Sequence, residues 1–110
     1  MDNPKHIQAM KEGKIPYEFI PMSVLGDSAR ALRHGAEKYG VRNWRLEAIK
    51  ASTYEGAILR HFTDWQDGID IDPDSGLPHL NMLIANALVI LDAQKHGTFI
   101  DDRDRKETRS

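Results

Sequence analysis

Apolar residues recur every three or four positions in three stretches of the chain, which places them on one face of an α-helix. The first stretch predicts a helix over residues 23–38, and Gly40 follows it where a left-handed conformation can end the helix. The second predicts a helix that starts at Ser52 and Glu55, which have the S-x-x-E form of a capping box, and ends at Gly68.

The third stretch is the most hydrophobic, and it predicts a helix that Asp74 or Ser75 caps and that closes at Gly97. The connector before it, residues 69–73, alternates apolar and acidic residues, but Pro73 favours a loop over a strand. Three helices joined by short connectors predict an all-α fold, a small bundle of three main helices around an antiparallel hairpin. The apolar face of the third helix is wider than two partner helices can cover, which favours completion of the bundle by oligomerisation.

The flanking segments set the expected domain limits. Residues 1–14 are polar and without a period, so we expect a flexible N-terminal arm, followed by a single α-helical domain over residues 15–100. Residues 101–110 balance acidic and basic side chains without an apolar anchor, which predicts a disordered tail. Between the first two helices, Trp44 either fills the core or covers a ligand.

Composition narrows the classes of partner. The net charge of the 110 residues is -2, which provides no overall positive field for a nucleic acid polymer or a membrane surface. The chain has no cysteine, which excludes disulfides, thiolate zinc sites and cysteine nucleophiles. No apolar run reaches the roughly 20 residues needed to cross a bilayer, and the N-terminal residues lack an apolar signal core. We therefore expect a soluble, cytoplasmic protein.

The residues best suited to chemistry meet at one corner of the expected hairpin. Arg60, His61 and Asp64 are spaced to share one side of the second helix. A tight hairpin brings His79 close to His61, beside the acidic connector, and imidazole nitrogens with carboxylate oxygens can hold a divalent cation. Each residue also has a plainer explanation, because helix histidines are more often hydrogen-bonded packing residues and acidic connectors are often solvated loops.

The connector also has part of the pattern of a calcium-binding EF-hand loop. Asp70, Asp72 and Asp74 stand at its first, third and fifth positions. The sixth position is Ser75 instead of glycine and the twelfth is Asn81 instead of glutamate, which argues against a calcium loop. The standard glycine-rich phosphate loops, the nucleophile elbow and the His-Asp dipeptide are absent from the sequence.

Three strings of the sequence match a known pattern: HGAEKYGVRNW (34–44), ILRHFTDWQDG (58–68) and DIDPDSGLPHL (70–80), followed by Asn86. Together they resemble the phage-associated dATP/dGTP diphosphohydrolase N-terminal domain family, in register over residues 15–91. That family is grouped with the all-α nucleoside triphosphate pyrophosphatases of MazG type. The resemblance implies hydrolysis of dATP or dGTP, with Mg²⁺ or Mn²⁺, to the monophosphate and pyrophosphate. It also implies a homodimer or homotetramer in the cytoplasm of a bacterial host.

The resemblance implies roles for particular side chains as well. His61, Asp64 and His79 would be catalytic, and together with Asp72 they would bind the metal. A second set would contact the nucleotide: Lys38, Tyr39, Asn43, Trp44, Arg60, Trp65 and Asn86.

The chain departs from the MazG type in its carboxylates. Those enzymes are similar to one another in an E-x-x-E pair on one helix and an E-x-x-D pair on the next, and this chain contains no E-x-x-E. Asp64 with Asp67 is the nearest substitute, and the third helix offers His79 and Asn86 where acids are expected. Two hypotheses remain open. Either histidine replaces carboxylate in the metal shell, or the domain is a non-catalytic module that binds a nucleotide or another protein.

Overall fold

The computed structural model describes residues 3–104 of the chain. Its helices are α1 (Pro4–Lys11), α2 (Gly26–Tyr39), α3 (Asn43–Leu46), α4 (Ala51–Gln66) and α5 (His79–His96). Two-residue strands, β1 (Ile49–Lys50) and β2 (Phe99–Ile100), and single 3₁₀ turns at Tyr17–Phe19 and Met22–Val24 complete the fold. The predicted all-α bundle with three main helices, α2, α4 and α5, is confirmed. Within the described part of the chain, no helix is long and apolar enough to cross a membrane.

Helix α5 is the element against which the others pack. Helix α4 returns along it as an antiparallel hairpin, and α2, α3 and β2 contact it on further sides. Apart from His79, its buried positions carry the small or medium side chains of Ala85, Val89 and Ala93, so neighbouring helices can approach closely. The core cluster of Ile49, Val89 and Ala93 is flanked by larger, partly buried side chains: Leu32, Trp44, Tyr54 and Phe99.

Strands β1 and β2 tie together the two open ends of the hairpin. They pair in parallel, with Ile49 opposite Phe99, and lie just before α4 and just after α5. The chain leaves α5 through Gly97, whose φ of 72° is left-handed, as the sequence predicts. This short sheet fixes the spacing of α4 and α5 at the end opposite the connector.

The N-terminus of α4 is capped from a distance. The predicted capping box of Ser52 and Glu55 is wrong, because the helix begins at Ala51 and Ser52 bonds elsewhere. The Asp102 carboxylate accepts hydrogen bonds from the Ser52 backbone N-H (2.8 Å) and its Oγ (2.5 Å). A carboxylate beside the first turn satisfies free N-H groups and complements the helix dipole.

The start of α5 also differs from the sequence prediction. The helix begins at His79, after Pro78, rather than at a cap formed by Asp74 or Ser75. Proline is well suited to this edge, since the first N-H groups of a helix have no partner within it. Asp74 instead bonds to α2, and Ser75 closes a turn with Asp72.

The packing bears on two further sequence interpretations. Trp44 is partly buried: its indole packs against the central cluster and its Nε1 donates to Asp92 (2.6 Å) on α5. Arg45 donates twice to the same carboxylate, and these hydrogen bonds hold the pKa of Asp92 well below its ordinary range. Helix α1, in contrast, forms where the sequence predicts a polar arm. Residues 105–110 of the predicted tail lie outside the described part of the chain.

We predict that Asp102→Ala lowers the free energy of unfolding by uncapping α4, as measured by urea denaturation at neutral pH. The Ser52 hydrogen bonds lower the pKa of Asp102, so its contribution is complete above the unfolded pKa and is lost as pH falls through the folded pKa. Asp104→Ala, an exposed acid two residues on, is the matched control. Equal stability losses in the two variants would contradict the capping role.

Candidate functional site

The connector brings the two predicted histidines into direct contact. His61 on α4 and His79 at the start of α5 lie with their Nδ1 atoms 2.8 Å apart, and their ring centroids are 5.1 Å apart. A hydrogen bond between two imidazoles requires one ring to donate and the other to accept. The pair therefore locks both rings and leaves each Nε2 for other partners.

The second ring nitrogen of His79 is the most unusual polar atom of the described residues. His79 is only 2% exposed, and its Nε2 has no hydrogen-bond partner within residues 3–104. The nearest charge is the Asp64 Oδ2 atom, 3.6 Å away, on a side chain that is about half exposed. When His79 donates through Nδ1, its Nε2 carries a free lone pair. A buried polar atom without a partner is costly, which makes this corner a candidate for a ligand.

The connector folds back on itself to hold His79 in place. The His79 backbone N-H donates to the Asp70 carbonyl (2.8 Å), the Asp72 N-H donates to the Leu77 carbonyl (2.8 Å), and Ile71 and Pro78 form an antiparallel bridge. The segment is thus a narrow hairpin turn without a regular strand, in agreement with the predicted loop.

The predicted metal ligand Asp72 is committed to this turn. Its carboxylate accepts hydrogen bonds from the Ser75 Oγ (2.7 Å) and backbone N-H (3.2 Å). Burial alone would raise the pKa of Asp72, but the bonds from Ser75 outweigh it and lower the pKa. An ionised Asp72 therefore shapes the connector and adds negative charge near His61.

His61 is held in its neutral form. Burial lowers its pKa below the ordinary value, and the neighbouring charge of Asp72 opposes that shift while His79 adds to it. A neutral imidazole is the form that accepts a proton or binds a metal.

Two adjoining cavities open between α5 and the elements α2, α3 and α4, and neither histidine of the pair lines them. One holds about 500 Å³ and the other about 210 Å³. They share four side chains that can stack on or hydrogen-bond to a ligand: Tyr39, Asn43, Tyr54 and Asn86. Together they form one open cleft, which we call the α4–α5 cleft.

Most of the predicted substrate-binding residues line this cleft. Arg60 lies in the larger cavity and Lys38 and Trp44 in the smaller one, in addition to the shared Tyr39, Asn43 and Asn86. Trp65 does not, since it stacks on Phe62 outside both cavities. Gly56 leaves room for Arg60, because a Cβ at that position would come within 3.1 Å of the guanidinium.

Two cleft residues were missed by the sequence interpretation. The sequence motifs give Tyr54 no ligand role, and they give none to His34 either, although His34 stands four positions before Lys38 on the same face of α2. In the structure His34 and Lys38 both reach Asp74, at 3.4 and 3.3 Å. Their hydrogen bonds lower the pKa of Asp74 and join the connector to the cleft.

The cleft and the histidine pair line the same seam between α4 and α5. His79 and Asn86 are seven residues apart on α5, so they share a face and are separated by about 10 Å along the axis. On α4, His61 follows Arg60 of the cleft directly. The seam therefore offers a pocket at one end and a buried histidine pair at the other.

Metal donors do not form a closed shell in this arrangement. Among residues 3–104, no group of three or more His, Asp and Glu side chains is placed to hold a metal ion. The structure brings His61, His79 and Asp64 together, whereas Asp72 is bound to Ser75.

This fold and site define a class, a small α-helical domain whose central hairpin carries facing histidines beside an open cleft. The chain belongs to the family described as dATP/dGTP diphosphohydrolase, N-terminal, whose model matches residues 4–103. The resemblance seen in the three sequence motifs is thereby confirmed.

A relative from Salmonella phage PMBT28 bears the name dATP/dGTP diphosphohydrolase. It is 28% identical over 92 residues, which cover 84% of this chain and 31% of the relative. The chain thus spans about a third of that protein's length. No solved structure matches this chain.

We predict that His61 makes the metal-free protein less stable as pH falls below the ordinary histidine pKa of about 6.5. Its folded pKa is lowered, so the unfolded chain takes up a proton first, and stability is lost between the unfolded and folded pKa values. Denaturation in EDTA at about pH 7.5 and about pH 5.5 should show a smaller difference for His61→Gln than for wild type. His96→Gln is the control, and an undiminished pH dependence in His61→Gln would refute the assignment.

Proposed function

We propose that this domain hydrolyses a purine deoxynucleoside triphosphate, dATP or dGTP, to the monophosphate and pyrophosphate with a divalent metal. The observation that carries the proposal is the seam between α4 and α5, which has an open cleft at one end and the His61–His79 pair at the other. Family membership and the name of the phage relative support the same reaction class.

The cleft suits a nucleoside. Ligand pockets are commonly a few hundred cubic ångströms or more, with apolar walls and a few placed polar groups. Here Tyr39 and Tyr54 offer aromatic surface, and the amides of Asn43 and Asn86 offer donors and acceptors for a base or sugar. Such amides pair well with the edge of a purine.

The phosphates would extend from the cleft along the seam. Arg60 can hold phosphate oxygens with its planar fork of donors, because its side chain lines the larger cavity of the cleft. Lys38 lies 3.3 Å from Asp74, so a phosphate would compete with that carboxylate for the ammonium group. The distance of about 10 Å between the levels of Asn86 and His79 is of the order of a triphosphate's length.

The donors present suit a metal that arrives with its substrate. Mg²⁺ commonly uses only one or two protein carboxylates, with waters and phosphate oxygens completing the shell, so Asp64 is the principal protein ligand available here and a histidine nitrogen would be an additional one. The unpartnered His79 Nε2 and the Asp64 Oδ2, 3.6 Å apart, are the two donors that would hold it. His61 would then orient the His79 ring through the Nδ1 contact, as ring partners of ligating histidines do. A bound metal would neutralise phosphate charge and activate water.

The protein's own contribution is to position groups and to move one proton. Water adds to the α-phosphorus while the bond from that phosphorus to the bridging oxygen breaks, and pyrophosphate leaves with the bond electrons. Because His79 donates through Nδ1, His61 accepts at its own Nδ1 and presents the N-H of Nε2 to a phosphate oxygen. The second oxygen of the Asp64 carboxylate accepts the proton that the water loses. Arg60 balances the charge of the departing pyrophosphate.

We predict that His79→Ala and His61→Ala lower pyrophosphate release from dATP or dGTP by roughly 100-fold or more. The assay follows pyrophosphate with Mg²⁺ or Mn²⁺, after circular dichroism has shown that each variant is folded. His96→Ala, a histidine at the far end of α5, should retain wild-type activity.

Release that survives both substitutions unchanged would refute the site. A specific observation favours a second function, nucleotide binding without hydrolysis: the described residues offer no closed metal shell. No release from any deoxynucleotide, together with a nucleotide-dependent rise in melting temperature, would favour that function.

A further inference from the structure

A further cavity lies toward the C-terminal end of α5, away from the histidine pair. It is a groove of about 420 Å³ between α3 and α5, which we call the Arg42–Lys95 groove. Its apolar lining consists of Leu32, Trp44, Leu88, Val89 and Leu91, and its polar lining of Arg42, Arg45, Asp92 and Lys95. Lys95 is in the last turn of α5 and His79 is its first residue, which separates the two by about 24 Å along the axis.

The groove carries an excess of positive charge in a chain whose net charge is -2. Its one acid, Asp92, is already paired, because Arg45 donates to both carboxylate oxygens (2.7 and 2.8 Å). The side chains of Arg42 and Lys95 make no hydrogen bond or ion pair within residues 3–104. Two cations from distant parts of the sequence therefore border one apolar groove without a counter-charge.

The backbone of Arg42 has a conformation that arginine rarely adopts. Its φ of 52° is left-handed, and among residues 3–104 no other non-glycine residue has a positive φ. Arg42 directly precedes α3, and glycine would make the same turn without the steric cost of a Cβ. Backbone strain of this kind is concentrated at ligand sites. The turn accounts for the backbone of Arg42, and the groove accounts for its side chain.

We propose that the Arg42–Lys95 groove binds a nucleoside monophosphate, with the phosphate between Arg42 and Lys95 and the base against the apolar lining. A phosphate monoester carries between one and two negative charges at neutral pH, which complements the two unpaired cations. Guanidinium and ammonium groups are common partners of phosphate oxygens. The indole of Trp44 and the neighbouring leucines offer aromatic and apolar surface on which a base can pack.

The size and composition of the groove favour a mononucleotide over other anions. Its volume falls in the range of small-molecule pockets, about 300–1,000 Å³. Two cations are too few for a nucleic acid polymer, which is held by an extended row of phosphate contacts. Inorganic phosphate would leave the apolar lining in water, and an uncharged apolar ligand would make no use of the cations. A mononucleotide uses both parts of the lining.

The groove and the α4–α5 cleft are separated by a shared wall. Leu32, Trp44 and Val89 line both the groove and the smaller cavity of the cleft. The reaction proposed for the cleft yields a nucleoside monophosphate, so the choice of dAMP as the probe rests on the proposed function. Binding to the groove is measured without turnover, whereas the reaction is measured by pyrophosphate release. Failure of the one is thus distinguishable from failure of the other.

The fluorescence of Trp44 tests the groove. Trp65→Phe removes the other of the two tryptophans, so the remaining signal comes from Trp44 alone. With excitation where dAMP does not absorb, we expect a saturable change during titration with dAMP. Combining Arg42→Gln with Lys95→Gln in this background should weaken the affinity roughly tenfold or more, since charge-assisted contacts to the phosphate are lost. Circular dichroism checks that the variants are folded, and Lys95→Glu alone is the second variant if the combined one is not.

Two controls assign the signal to the groove. Arg30→Gln with Lys11→Gln removes the same charge elsewhere and should leave the affinity unchanged. Asn86→Ala alters the cleft but not the groove, and it should also leave the affinity unchanged.

Three results would overturn the proposal. One is a parent protein without a saturable response to dAMP, which would leave the groove to another occupant, such as a second copy of the chain. Another is equal affinity of the combined Arg42 and Lys95 variant and its charge-matched control. The third is a loss of binding in Asn86→Ala alone, which would assign dAMP to the cleft. Inorganic phosphate should bind more weakly than dAMP, and equal affinities would refute the role of the apolar lining.

Discussion

The need to cover α5 organises this molecule. This helix is the most hydrophobic of the three main helices, and a chain of 110 residues has few elements with which to cover it. Helices α2 and α4 occupy two sides, Trp44 and β2 fill the gaps, and small residues allow the close approach. What remains is an outward row in which Leu80, Leu88 and Leu91 are still exposed.

The same packing creates the candidate site. Because α4 must lie along α5, the short connector has to reverse the chain at the point where His61 and His79 stand. Asp72 and Ser75 stabilise that reversal, and burial holds the imidazole of His61 neutral. The hairpin leaves the Nε2 of His79 without a partner among the described residues, at a cost that packing must offset. The contact with His61 accounts for the Nδ1 atom of His79 only, so the unpartnered Nε2 atom favours a ligand.

The features that could be predicted from the sequence are those that depend on local spacing. Apolar periodicity gave the three main helices, and the short connector placed His61 beside His79, since a tight antiparallel hairpin allows little else. The predictions were wrong where the hydrogen-bond partner of a residue is distant in the chain. Ser52 is capped by Asp102, fifty residues away, and Asp74 serves α2 rather than α5. Trp65 is predicted to contact the nucleotide, but in the structure it stacks on Phe62 outside the cleft. Which partner each of these side chains takes depends on tertiary packing, which a local sequence pattern does not contain.

The central claim is that the His61–His79 corner receives a divalent metal together with a nucleotide. Proton NMR of the imidazole resonances during titration with paramagnetic Mn²⁺ and a non-hydrolysable dATP analogue tests it directly, because broadening falls steeply with distance from the ion. The account predicts that the signals of His61 and His79 broaden first, and that His96, at the other end of α5, is affected last. Equal broadening of all histidines, or broadening that spares His61 and His79, would contradict it.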